Sequence, residues 1–283
     1  MLNFDLGGVQ VLHDVTVNVK SGSRVLLVGA NGAGKTTLLR ILGGKHMHEP
    51  GTVQVLQKNC YHDTTLNVER QYVNNEWGMR TVAFAGSMVA HQADIPVSGM
   101  MTALQEEFPE RREMLLDLLG VNPNWRMHKV SDGQRRRVQL FLALLRPYKL
   151  LLLDEVTAVL DLVARQDFLQ FLKEETENRE CTVVYATHIF GGLDDWLTDI
   201  MYIEEGKLRL CKPIKEVEKF QNYVKNGSTA PLLRTVEDWL RAESAFINRR
   251  RGEEKESKQE VGLANAQTSA GGYAPGRMYN YWG

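Results

Sequence analysis

One octapeptide constrains this chain more than any other feature. Gly29-Ala30-Asn31-Gly32-Ala33-Gly34-Lys35-Thr36 fits G-x-x-x-x-G-K-[ST] and stands between a short apolar run, residues 24–28, and a stretch of helical character, 36–42. A strand that enters a glycine-rich loop and leaves it as a helix belongs in an α/β layer arrangement. Glycine permits backbone conformations that turn successive N–H groups inward on an anion, and the following helix adds its dipole. Lys35 can reach the β- and γ-phosphates of a nucleotide as a point charge, and Thr36 offers a hydroxyl to Mg²⁺. The expected ligand-binding surface runs from Gly29 through Thr37.

The rest of the chain agrees with that architecture. Residues 150–153 and 182–186 are continuous, mainly apolar runs, with an amphipathic helix over 162–177 between them. Non-alternating strands separated by helices indicate a parallel sheet covered on both faces. Residues 9–19 largely alternate and are rich in β-branched types, as a half-buried strand or hairpin would be. Over 100–108, 111–119 and 133–145 the apolar spacing is helical. The fold class expected is therefore α/β, with a parallel sheet core, an N-terminal antiparallel β region and a helical insertion at about 96–147. Residues 1–225 read as one domain and 226–248 as a helical extension. From 249 onward the composition predicts a disordered tail, because 252–272 holds almost no large apolar residue. The final Tyr279-Asn280-Tyr281-Trp282-Gly283 reads as an unstructured end or a short docking peptide.

Composition removes several function classes. The 34 Lys and Arg nearly balance 35 Asp and Glu, so there is no basic excess for coating a nucleic acid. Cys60, Cys181 and Cys211 form no C-x-x-C pair, which argues against a zinc site or disulfide framework and for a reducing compartment. The longest weakly charged stretch, 82–104, is broken by Gly86, Asp94, Pro96 and Gly99, and the first residues show no basic segment leading into an apolar one. The expectation is a soluble intracellular protein without membrane insertion.

Two more strand ends carry chemistry. Leu150-Leu151-Leu152-Leu153-Asp154-Glu155 puts two carboxylates at the carboxyl end of a buried strand, where ligands bind in open α/β sheets. Asp154 is expected to hold Mg²⁺, through water, and Glu155 to orient or deprotonate an attacking water. Alone, the same pair could serve as an ordinary helix cap. Thr187-His188 follows residues 182–186 at the equivalent position, where an imidazole either donates to the γ-phosphate or is a satisfied structural histidine. Ser131 reads as the N-cap of a helix whose exposed N–H groups form a second anion site. Arg135 to Arg137 read as a solvated helix face or a patch for an acidic partner. Asp132, at roughly 6 Å from a phosphate charge, would repel it by about 2 to 3 kcal/mol per unit charge at an effective dielectric near 20, unless it turns toward Arg135 or Arg136.

The run Val130-Ser131-Asp132-Gly133-Gln134-Arg135-Arg136-Arg137-Val138 resembles the signature motif of ATP-binding-cassette (ABC) ATPases, usually written Leu-Ser-Gly-Gly-Gln. The order of phosphate loop, signature, acidic strand, D-loop (Ala158-Val159-Leu160-Asp161) and switch histidine also resembles that family, over roughly residues 1–210. Residues 125–139, 152–157 and 184–190, with Gly43-Gly44-Lys45-His46-Met47, are similar to a subgroup of solitary soluble ABC proteins. That subgroup includes fungal factors associated with the carbon-catabolite-repression–Not complex and plant proteins lacking membrane domains.

The resemblance implies ATP and Mg²⁺ as ligands, with Lys35, Glu155 and His188 in hydrolysis and Thr36 and Asp154 at the metal. It implies a homodimer across ATP, in which Ser131, Gly133, Gln134 and Asp161 belong to the shared nucleotide sites. It further implies a cytoplasmic or nuclear regulatory ATPase in an assembly of transcription or mRNA turnover. The alternatives are a transporter's ATP-hydrolysing subunit with membrane domains on another chain, and a slow-hydrolysing scaffold. Three positions depart from the family pattern. Leu6, with Phe4 on the same strand face, stands nearest the adenine-stacking aromatic. Asn75, Glu76 or Gln92 stands nearest the glutamine that ends the strand before the insertion. Asp132 replaces the first glycine of the signature.

Overall fold

The computed structural model describes residues 2–74, 95–158 and 160–269. The described chain divides near Val236 into two compact units. The first opens with β1 (Leu2–Leu6) and β2 (Val9–Val15), paired antiparallel so that Leu6 faces Val9 and Leu2 faces Val15. The connecting Gly7 and Gly8 both have positive φ, 61° and 84°, as a tight primed turn requires. The alternating stretch over 9–19 is thus the second arm of a hairpin. Its described pairing ends at Val15, opposite Leu2.

The central sheet holds β3 (Arg24–Val28), β6 (Arg70–Val73), β7 (Leu150–Asp154), β8 (Thr182–Ala186), β9 (Asp199–Glu204) and β10 (Lys207–Pro213), in the spatial order β10-β9-β3-β8-β7-β6. Every neighbouring pair is parallel except the hairpin β9–β10. A small hairpin, β4 (Gln54–Val55) with β5 (Lys58–Asn59), stands apart. All five residues of β3, of β7 and of β8 are buried, so these runs do not alternate. Each Leu or Val buried this way contributes about 1.5–3 kcal/mol. Because β3, β8 and β7 are adjacent, the three segments that leave their carboxyl ends lie side by side.

The insertion forms helices Thr102–Glu107, Pro109–Leu118 and Asp132–Leu145. Pro109 sits at the first position of its helix, where its missing N–H costs nothing. Arg111 anchors the region: its Nη1 and Nη2 donate to both carboxylate oxygens of Glu175 at 2.9 and 2.7 Å, and its Nε donates to Leu144 O at 2.7 Å. Glu175 lies on the helix Leu162–Arg179, so one side chain ties the insertion to the helix between β7 and β8.

The C-terminal helix overlaps the expected tail. The helix Pro231–Ser269 runs through the stretch for which composition predicts disorder. Glu, Lys, Gln and Ala form helix readily, so a scarcity of large apolar residues does not prevent helical backbone. The terminal aromatics at 279–282 lie outside the described residues. Among the described residues no helix is long and apolar enough to cross a membrane.

Candidate active site

The phosphate loop leaves β3 with Gly29 buried and Asn31 and Gly32 exposed at the mouth. A Cβ on Gly29 would lie 2.3 Å from Ile203 O, so that position must be glycine. Gly32 and Gly34 have φ of 81° and 106°, and nothing lies within 4 Å of a Cβ added at Gly32. Lys35, the first residue of the helix Lys35–Leu42, is buried and donates to Gly29 O at 2.8 Å and Ala30 O at 3.0 Å. Its ammonium is thus held inside the loop that composes the expected phosphate cradle. Thr36 is exposed and Thr37 half-buried.

Asp154, the last residue of β7, is buried and accepts hydrogen bonds from the Thr36 hydroxyl and from the Tyr72 hydroxyl, the latter at 3.4 Å. Burial pushes its carboxyl above the usual range, the adjacent Glu155 charge pushes the same way, and the two hydroxyls oppose them. A dehydrated carboxylate beside a hydroxyl is a hard oxygen donor set that a divalent cation satisfies, so Thr36 and Asp154 fit Mg²⁺. Tyr72 was not expected in the site. Its hydroxyl is pushed up to about 12 by burial and the Asp154 charge, and it also hydrogen-bonds Arg40 and Asn74. It reaches Asp154 because β6 lies beside β7 with Tyr72 opposite Leu152, two residues before the carboxylate.

Glu155 departs from the strand with φ 55°, a left-handed conformation that a residue with a side chain adopts at a cost. Its N–H donates to Ala186 O at 2.9 Å, which pins it to the end of β8. The turn aims its carboxylate at the next segment along: Glu155 Oε1 is 2.8 Å from His188 Nε2. Lys35, Thr36, Asp154, Glu155 and His188 therefore stand at the carboxyl ends of three adjacent strands.

The second set of expected residues is held differently. Ser131 caps the helix Asp132–Leu145 in a reciprocal box: its Oγ accepts from Gln134 N at 3.2 Å, and its own N–H donates to Gln134 Oε1 at 2.9 Å. Asp132 pairs with Arg135 at 3.1 Å, so its carboxylate is turned along the helix and the expected repulsion loses much of its premise. The Arg135–Arg137 run is not a uniform solvated face. Arg136 donates to Asn74 O, which Gln139 Nε2 also reaches at 3.0 Å, while Arg137 Nη2 pairs with Asp161 Oδ2 at 2.9 Å. Asp161 in turn caps the helix Leu162–Arg179 through Ala164 N at 2.9 Å. Its carboxyl sits below the usual range, mainly because of that backbone N–H, with help from Arg137.

Of the positions that depart from the pattern, Phe4 packs its ring 5.2 Å from that of His46, and Leu6 is exposed at the hairpin tip. Asn75, Glu76 and Gln92 lie outside the described residues.

Comparison with known proteins agrees with this geometry. A family model described as ABC transporter matches residues 12–158. The chain is 48% identical over 251 residues to ABC transporter I family member 20 of Arabidopsis thaliana, covering 88% of this chain and 74% of that protein. It is 41% identical over 202 residues to CCR4-associated factor 16 of Saccharomyces cerevisiae, covering 69% and 70%. Among solved structures, cbiO1 from Clostridium perfringens aligns with a TM-score of 0.61 at 22% identity, over 83% of this chain and 95% of that one. A dimeric post-hydrolysis ATP-binding cassette bound to ADP and Pi aligns with a TM-score of 0.58 at 22% identity, over 75% and 95%. At such identities these two structures speak for the fold alone.

Proposed function

Because the chain belongs to the ABC transporter family, we propose that it binds Mg-ATP at the phosphate loop and hydrolyses it between two copies of itself. The observation that carries this reading is the convergence of Lys35, Thr36, Asp154, Glu155 and His188 at one end of the sheet. Lys35 stands ready to exchange the carbonyls of Gly29 and Ala30 for the β- and γ-phosphates. Thr36 and Asp154 would hold Mg²⁺, which when bound neutralises charge on the phosphate oxygens. Glu155 orients a water in line with the γ-phosphorus and accepts its proton. The water oxygen bonds to phosphorus as the bond to the β,γ-bridging oxygen breaks, and ADP leaves with that electron pair. His188 keeps Glu155 aimed and can itself donate to the γ-phosphate. The acceleration comes from positioning and charge stabilisation.

The second copy would supply Ser131, Gly133 and Gln134. Helix geometry leaves the N–H groups of Asp132 and Gly133 without intrahelical acceptors, and these suit a phosphate presented by a partner. The exposure of this helix end, where the Ser131 and Gln134 side chains bond each other's backbone N–H, supports this arrangement. The relative named CCR4-associated factor 16, at 41% identity, favours a regulatory role in an assembly of transcription or mRNA turnover over energising a membrane partner.

The test is Glu155→Gln, which keeps the shape but cannot accept the proton. Turnover is expected to fall at least about a hundredfold while ATP binding persists, and size-exclusion chromatography with Mg-ATP should show a dimer. A variant that stays monomeric at high concentration removes the two-copy site. Purifying the trapped protein from its native cell, with membranes fractionated separately, distinguishes the assembly from a transporter. Sedimentation with membranes would favour the latter.

A further inference from the structure

The helix Leu162–Arg179 carries a buried guanidinium that the mechanism above does not use. Arg165 is 4% exposed, and it donates through Nη1 to Gly191 O at 2.6 Å and through Nη2 to Ile189 O at 2.7 Å. Its Nε is buried without an acceptor, and no carboxylate pairs with it among the described residues. Burying a cation in this way is costly, and an apolar side chain of similar length would fill the same space more cheaply. What the guanidinium provides instead is a fork that holds two carbonyls at once.

Those carbonyls belong to the residues just after His188. The same segment is tightened elsewhere: Ile189 N donates to the hydroxyl of buried Thr187 at 3.1 Å. At Gly192, with φ +78°, a Cβ would lie 2.5 Å from Nε2 of the exposed Gln166 side chain, so the loop and this side chain of the helix lie in contact. Upstream, Arg165 N donates to Asp161 O at 2.9 Å, one turn after the residue that caps this helix and pairs with Arg137. The loop bearing His188 is therefore seated on the first turn of the helix whose cap contacts the Ser131-capped helix.

We propose that Arg165 is a positioning residue for His188: by clamping the carbonyls of Ile189 and Gly191 it holds the imidazole against Glu155 and ties that placement to the Asp161–Arg137 end of the helix. The kinetic consequence rests on the hydrolysis reading given above; the clamp itself does not.

The test uses the full chain. Hydrogen–deuterium exchange without nucleotide should show amides 188–193 losing protection about tenfold or more in Arg165→Met, with β3 and β7 unchanged and Arg165→Lys intermediate. In steady state, Arg165→Met should lower kcat about tenfold with KM for Mg-ATP within about twofold, and should change kcat less than about twofold in a His188→Ala background, since it acts through that imidazole. Wild-type exchange in the loop, or a full additive loss in the His188→Ala background, overturns the proposal. If Arg165→Met loosens every strand, Arg165→Lys, which keeps the charge and one hydrogen bond, supplies the same comparison. A wild-type protein without turnover would defeat the hydrolysis reading, while the exchange comparison would still decide the clamp.

Discussion

The sheet end and the Ser131-capped helix end are both expected at the nucleotide, yet the fold treats their charges in opposite ways. Lys35 and Asp154 are 7% and 6% exposed, and each is bonded to a group inside the site. The Asp132 side chain is 95% exposed, and the side chains of Ser131 and Gln134 each bond the other's backbone N–H. Beside Asp161, Leu162 and Val163 stand 73% and 69% exposed. The first region thus buries a cation after β3 and an acid at the end of β7, as the proposed nucleotide site needs. The second region closes its hydrogen bonds locally and leaves apolar surface uncovered, as expected of a half-site that waits for a partner.

If that contrast is real, the first region must bind nucleotide without help from the second. Lys35→Ala is therefore expected to have the largest effect of any single change. Turnover should fall at least about a hundredfold, and the melting shift induced by Mg-ATP should vanish even in dilute monomer. Wild-type turnover or a retained shift would break the comparison at its root. The fold itself should survive, because Gly29 and Ala30, whose carbonyls Lys35 engages, belong to the loop and not to the sheet.

The next effect is on stability and concerns what holds the second region to the first. Burial pushes the Glu175 carboxyl up, but Arg111 and Arg179 more than reverse this and hold it below the usual range. A carboxyl depressed in the folded state stabilises above its unfolded pKa, near 4.3, and the contribution is lost as pH falls through the folded value. Glu175→Gln should thus cost about 2 kcal/mol at pH 7, with the gap to wild type closing below about pH 4. Urea titrations stepped across that range check both size and sign. An unchanged gap at low pH would mean that shape, not charge, anchors the insertion.

Ser131→Ala probes the second region directly. Loss of the cap should cost about 1 kcal/mol in unfolding. In a Glu155→Gln background the ATP-driven dimer should weaken about tenfold or more, read by sedimentation, while ATP binding to the monomer holds. Equal dimerisation with and without the hydroxyl would leave Ser131 as a cap only.

The two regions also differ in how far they could be read from the chain. Gly29 to Thr36, Asp154, Glu155, His188 and Ser131 were legible because their signals are local: a loop pattern, a strand that ends in acid, a cap before a helix. Tyr72 and Arg165 were not. Arg-Gln-Tyr-Val is too short to declare its strand type, and Tyr72 meets Asp154 through the register of β6 on β7. Arg165 is visibly four residues after Asp161, but its acceptors at 189 and 191 are brought to it by the turn after β8. The helix to Ser269 was missed for the opposite reason, since helix propensity was outweighed by the absence of apolar residues that packing would need.

The smallest effect should come from Asp132, and it sharpens the comparison most finely. Unpaired, its carboxylate would resist an incoming phosphate and make closure reluctant. In the structure it lies 3.1 Å from Arg135, whose side chain is largely buried while the Asp132 carboxylate stands in water, so the pair presents little net charge and its solvent-screened attraction is worth less than about 1 kcal/mol. An acid in the first turn also favours the helix dipole by about 0.3–1 kcal/mol. Asp132→Asn should therefore lower stability by about 0.5 kcal/mol and shift the ATP-driven dimer constant less than about threefold. That shift should stay small at low and at high salt, because a neutralised pair leaves little for ions to screen. The measurement is the dimer dissociation constant with ATP at two ionic strengths, in a Glu155→Gln background. A tenfold tightening confined to low salt would show that Asp132 acts as a bare charge at the interface, and that Arg135 turns elsewhere when the two copies meet.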